Sequence, residues 1–171
     1  MSRQNPFAAV MAMKSATWER HANPWSVWTR VPLLALFAFA VFFRDPLGAW
    51  LWPVLALLVL WAIVNPRAFP RPASTDNWAS KGVLGERVWL NRGKIAIPHH
   101  HARWALGLSL ASAACLVPLA WGLYALDPWA TAFGALGASA LKLWFVDRMV
   151  WLYEDMKDAS ADYASWLKRR P

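Results

Sequence analysis

The sequence predicts an all-α integral membrane bundle: four transmembrane helices in two helical hairpins, with an interfacial loop helix between them. Three observations lead there. Four apolar runs are long enough, or nearly so, to span a bilayer. An Asp-Pro pair joins the two runs of each hairpin. The basic residues gather in the segments outside those two joints. The composition agrees, with 58% hydrophobic and 16% charged residues among 171. An average globular chain carries about 25% charge, so a water-facing surface would be hard to cover here, and disorder is excluded by the same imbalance. The single Cys115 excludes an internal disulfide framework and a Cys-rich zinc site.

The runs are Val31–Phe43, Pro46–Val64, Trp104–Leu126 and Pro128–Leu141, the last continuing past Lys142 to Val146. Crossing a hydrocarbon core of roughly 30 Å takes about 20 helical residues. The second and third runs meet that directly. The first meets it if its helix starts at Pro24, where Asn23 is a good N-cap and proline suits the first helical position. Trp25 and Trp28 would then lie at headgroup level. Asp45-Pro46 and Asp127-Pro128 read as the N-cap and first turn of each returning helix. The single membrane domain 1–171 thus divides into a hairpin at 24–64, a cytoplasmic or interfacial loop at 65–97, a second hairpin at 98–153 and a cytoplasmic tail at 154–171. Both hairpins open with a proline, Pro24 and Pro98, but no residue-by-residue repeat relates them.

Of the 18 basic residues, seventeen lie in 1–30, 65–103 and from 142 onward, and only Arg44 lies in a hairpin turn. By the positive-inside rule both termini and the central loop face the cytoplasm, which places the chain in the inner membrane as a multi-pass protein. The formal charge of +8 flanks apolar spans and forms no compact stripe, so contact with anionic lipid explains it and nucleic-acid binding does not. Ten of the first 22 residues are polar and no small-residue cleavage site follows the first run, so that helix is expected to stay as an anchor.

Apolar side chains gain little by leaving lipid for one another, so helix contact is expected at small residues. Gly107, Ala111 and Cys115, and likewise Ala130, Gly134 and Ala138, recur at i, i+4, i+8 and are expected to form the interface of the second hairpin. Pro53 and Pro118 are expected to kink their helices. Val83, Leu84, Val88 and Leu90 suggest a short helix lying on the membrane, weakened by Gly82 and Gly85. The tail residues Tyr163, Trp166 and Leu167 are expected to touch the same surface.

The polar groups that the composition does not require gather at the cytoplasmic face. The candidates are His21, Arg30, Glu86, Arg87, His99, His100, His101, Asp147, Arg148 and Glu154. Arg30, Arg87 and Arg148 each have tryptophans nearby and suit a phosphate headgroup. Consecutive histidines on a helix point about 100° apart, so at most one or two of His99–His101 would face the bundle. A metal could be held by His21, one of His99–His101, and Asp147 or Glu154, although no HxxxH, HExxH or CxxC pattern is present. Asp147, Trp151, Glu154 and Asp158 fall on one helix face. If Lys142 is buried, Asp147 or a neighbouring carboxylate is its expected partner; otherwise it snorkels to the interface.

The segments HANPWSVWTR (21–30), WASKGVLGERVWL (78–90) and WFVDRMVWLYED (144–155) resemble a family of small uncharacterised prokaryotic multi-pass membrane proteins, a domain of unknown function. That resemblance implies a membrane protein and supplies no activity, cofactor or catalytic residue. The functional expectation is a polytopic protein whose cytoplasmic face binds lipid headgroups or a protein partner, with membrane lipids as its first partners and a homo-oligomer or membrane-protein partner as a further one. The alternative is a small membrane enzyme acting on a lipid or isoprenoid, metal-assisted through His21 and His99–His101. Four short spans with few polar groups make a poor solute path for a monomer.

Overall fold

The computed structural model describes residues 15–169, and all regular secondary structure among them is helical. Helices α1 (Ser15–His21), α2 (Pro24–Trp28), α3 (Leu33–Phe42) and α4 (Arg44–Leu47) lead through a 3-10 turn at Gly48–Trp50 into α5 (Leu51–Ala68). After an irregular loop follow α6 (Trp78–Leu90), α7 (His99–Ala114), α8 (Leu116–Ala125), α9 (Pro128–Met156) and α10 (Ala161–Ser165). Taken through their breaks, four stretches are long and apolar enough to cross a membrane: Pro24–Phe42, Arg44–Ala68, His99–Ala125 and Pro128–Met156.

Local chemistry explains where these helices start and break. The Asn23 side chain accepts from the Trp25 N–H at 3.0 Å and opens α2. That helix does not run on to Phe43 as one piece. It ends at Trp28 and resumes at Leu33, because Pro32 has no N–H for the Trp28 carbonyl and its ring crowds that carbonyl. The break at Cys115 has the same cause, since Pro118 cannot bond to the Ala114 carbonyl. Pro53 makes no such break. It is the third residue of α5, where an N–H has no intrahelical partner to lose.

The two Asp-Pro joints differ. Asp127 accepts from the N–H groups of Trp129 and Ala130, at 2.9 and 3.2 Å, and starts α9. Asp45 caps nothing. Only Phe43 separates α3 from α4, so the backbone at Asp45 is already helical and the Leu47 N–H is taken by the Phe43 carbonyl. The chain turns instead around Gly48, whose φ of 51° suits a residue without Cβ. Arg44 bridges the two joints by donating to the Leu123 carbonyl at 2.6 Å, so both sit at one end of the bundle.

The spine is α9. Its 29 residues extend about 44 Å at 1.5 Å each, well beyond a roughly 30 Å hydrocarbon core. The surplus carries the main core, away from the hairpin joints: Met149, Leu152, Tyr153 and Met156 pack on Val83, Leu84 and Val88 of α6, closed by Trp18 and Tyr163. The most apolar span buries least. None of the hydrophobic window of Arg44–Ala68 is buried, and Trp52, Leu57, Leu60 and Ile63 face outward. An exposed apolar face of this size marks a surface that meets a membrane or another protein.

Close approach is made by glycines that propensity alone would count against a helix. A methyl at Gly85 would overlap the Met149 backbone, and one at Gly82 would lie 2.5 Å from Val146 Cγ1. Helix α6 is therefore clamped onto α9 by these two residues. In the second hairpin Gly134 meets Leu119 and Gly122 meets Thr131. The expected small-residue stripe on the third stretch holds only at Cys115, whose Sγ would lie 3.0 Å from a methyl at Gly137; Gly107 faces open space and Ala111 is exposed. The α7 face on α9 is His101, Ala105 and Leu108, extended by Ser112, whose hydroxyl donates to the Ala138 carbonyl at 3.0 Å. Small residues permit contact without demanding it, and the outward face of a span tolerates them equally. The tail also packs on protein. Tyr163 is buried, and Thr75 exchanges hydrogen bonds with Lys168, its N–H donating to the carbonyl at 2.9 Å and its hydroxyl accepting from the N–H at 2.7 Å.

Candidate functional site

Between the two hairpins and α6 lies a cavity of about 670 Å³. Its polar rim is His21 from α1, Arg30 from the turn after α2, Glu86 from α6 and Lys142 from α9. Its wall is mostly apolar and comes from the four long stretches and α6, with Leu34, Ala62, Val83, Leu116 and Ala138 among the lining residues and Ser112 and Ser139 as polar exceptions. Three of the ten residues singled out from sequence therefore meet in one cavity, and Lys142 joins them as a fourth.

Lys142 reaches forward along α9, so that its Nζ lies 3.0 Å from Glu86 Oε1 and 4.2 Å from the centroid of the Phe145 ring. Its side chain is 59% exposed, so the condition for a buried pair with Asp147 is not met. Its partner is Glu86, whereas Asp147 accepts from Trp78 Nε1 at 2.9 Å. Burial alone would push the Glu86 carboxyl up, but Lys142, both as a charge and as a hydrogen-bond donor, together with His21 and Arg30 leaves it below its usual value. Arg30 is held in place by donating from Nε to the Ser26 carbonyl at 3.0 Å.

A buried relay fixes the tautomer of His21. The Thr29 hydroxyl donates to the Trp25 carbonyl at 2.6 Å, which uses its only proton. It must then accept from Asn65 Nδ2, 2.8 Å away, so Asn65 Oδ1 faces Ser26. The Ser26 hydroxyl donates to that oxygen at 2.7 Å. His21 Nδ1, 3.2 Å from the Ser26 oxygen, is left as the donor. Neutral His21 thus carries its proton on Nδ1 and its lone pair on Nε2. Burial, and after it the neighbouring Arg30, pushes the imidazole down to about 4.

The other candidates lie elsewhere. Arg87 stacks over the Trp166 ring at 3.8 Å, in a smaller cavity with Glu19 and Lys168. Arg148 sits 5.8 Å from the Trp104 ring centroid, and its Nε is buried without a partner. Glu154 bridges Lys81 at 2.7 Å and Lys157 at 2.8 Å. Asp147 and Glu154 thus bind α6 side chains and do not join His21. Of the histidine run, His101 is buried while His99 and His100 are exposed. His101 Nε2 lies 2.8 Å from Asp155 Oδ2, a residue with no distinguishing pattern in the sequence.

No curated protein and no solved structure matches the chain. One family model does, over residues 3–169, and its description is "Family of unknown function (DUF6653)". The match takes in the cavity, the histidine run and the α6–α9 core alike, and the chain belongs to this family of unknown function.

Proposed function

We propose that the protein is a multi-pass protein of the inner membrane, with both termini cytoplasmic, that holds an anionic amphiphile in the cavity between its hairpins. Arg30 and Lys142 take the headgroup, and the apolar wall takes the chain. The observation that carries this reading is the polarity of the cavity. His21, Arg30, Glu86 and Lys142 bring charge to the cavity from four elements, and most of the remaining lining, from the four apolar stretches, α1 and α6, is apolar. Its volume falls within the roughly 300–1,000 Å³ usual for ligand pockets. That room suits a headgroup with part of its chains, or a single-chain lipid.

Binding is favoured over turnover by the state of His21. A general base works best with a pKa near the operating pH, and an imidazole at about 4 is a weak base there. It is a good acceptor, so a headgroup with a free hydroxyl or a protonated phosphate oxygen complements Nε2.

The test is lipid analysis of the detergent-purified protein by mass spectrometry. Wild type is expected to retain anionic lipid, and Arg30→Ala with Lys142→Ala to lose it. An unchanged lipid profile in the double variant would refute the pocket. Reporter fusions in the 69–77 loop and after residue 169 are expected on the cytoplasmic side, with a fusion at Leu126 opposite.

A further inference from the structure

We propose that His100, His101 and Asp155 form a binding site for a divalent first-row transition ion of the zinc type. The site clasps the start of α7 to the end of α9. None of the three residues lines the cavity, so the proposal stands apart from the lipid reading.

The ligand atoms of these three residues all lie within 4.8 Å of one another, the one such His/Cys/Asp/Glu cluster among the described residues. His101 is the anchor. It is 1% exposed, and its Nε2 already faces Asp155 Oδ2 at 2.8 Å. Donors about 2.0–2.2 Å from a shared tetrahedral ion lie roughly 3.3–3.6 Å apart, so the exposed Asp155 carboxylate draws back by about half an ångström to admit one. His100 supplies the adjustable donor. Its ring lies beside that of His101, with centroids 4.1 Å apart, and its exposure leaves it free to turn. Neighbouring positions in a regular helix aim about 100° apart, which would keep both rings from one ion. Here His99 opens the helix, so His100 stands in its first turn and its side chain swings without meeting a preceding turn.

Two imidazoles and one carboxylate select zinc, nickel, cobalt or copper over magnesium or calcium, which want more oxygen ligands. Three protein ligands with two on the surface leave one tetrahedral position for water. Ligation through Nε2 requires a neutral imidazole with its proton on Nδ1, so the proton that Nε2 directs at Asp155 moves to Nδ1 when His101 starts neutral and is released to solvent when it starts as the imidazolium. The ion then takes the place of a hydrogen bond between residues 54 apart.

The experiment is zinc titration by calorimetry, on full-length protein purified through a histidine-free tag and stripped with chelator. One ion per chain is expected, with a rise in melting temperature on adding zinc. Asp155→Asn and His100→Ala alter exposed side chains and leave the core intact; each is expected to weaken binding by at least about tenfold. His101→Gln keeps a donor for Asp155 and is expected to lose the ion. His99→Ala is the control and is expected to bind as wild type. No saturable zinc in wild type, or equal loss in His99→Ala and His100→Ala, would overturn the proposal, the latter marking a non-specific histidine run.

Discussion

Lys142 Nζ lies 3.0 Å from Glu86 Oε1, a contact that links the long spine helix α9 to α6 at the rim of the main cavity. The carboxylate occupies a cation that an anionic headgroup would otherwise engage. With Lys142 largely exposed, the pair adds little to stability, between about 0 and 1 kcal/mol. Glu86→Gln should therefore leave the melting temperature within a degree or two while raising retention of anionic lipid several-fold. Lys142→Ala should do the opposite to the lipid. Quantitative mass spectrometry of co-purified lipid reads both, and lower retention in Glu86→Gln would contradict the assignment of the rim.

The glycines should sort by what a methyl would strike. Gly85→Ala meets the Met149 backbone, and Gly134→Ala meets that of Leu119. Each should destabilise by about 1–3 kcal/mol or more, the range of overpacking. Gly82→Ala meets the Val146 side chain and not, at closest approach, backbone; it should cost less than Gly85→Ala, but more than nothing because valine χ1 is stiff in a helix. Gly107→Ala faces open space and should be neutral or stabilise by up to about 1 kcal/mol through helix propensity. Thermal melts in one detergent rank the four.

The two Asp-Pro joints, alike in sequence, should respond differently. Asp127→Ala removes the acceptor of two N–H groups and should cost about 1 kcal/mol. Asp45→Ala, which removes no cap, should change stability by no more than about 0.5 kcal/mol. Equal losses would show that the second joint is not held by its cap.

His21 should make stability depend on pH. Its folded pKa of about 4 lies below the roughly 6.5 of an unfolded histidine, so the native state binds fewer protons between these values. The contribution is fully present above pH 6.5, is lost as pH falls toward 4, and levels off below. For a group this buried the total is on the order of 3 kcal/mol. Melting temperature against pH should fall more steeply in wild type than in His21→Gln over that window, and parallel curves would refute the assignment.

The sequence by itself determined the fold class, the four apolar stretches, and the caps at Asn23 and Asp127. Each rests on interactions among neighbours in the chain: apolar length against a hydrocarbon core, or an oxygen two residues from an N–H. It also located Lys142 as a charge at the edge of a span. Only the tertiary structure decided which polar groups meet. Glu86 and Lys142 are 56 residues apart and Ser26 and Asn65 are 39 apart, so their pairing depends on how each helix is rotated about its axis. For Glu86 and Lys142 the rotation is set by the close approach of α6 to α9 at Gly82 and Gly85, and a glycine that enables such an approach reads in sequence like Gly107, which enables none. Asp155 shows the same limit. Nothing in its neighbours separates it from Glu154, and the 100° turn between them sends one to His101 and the other to Lys81.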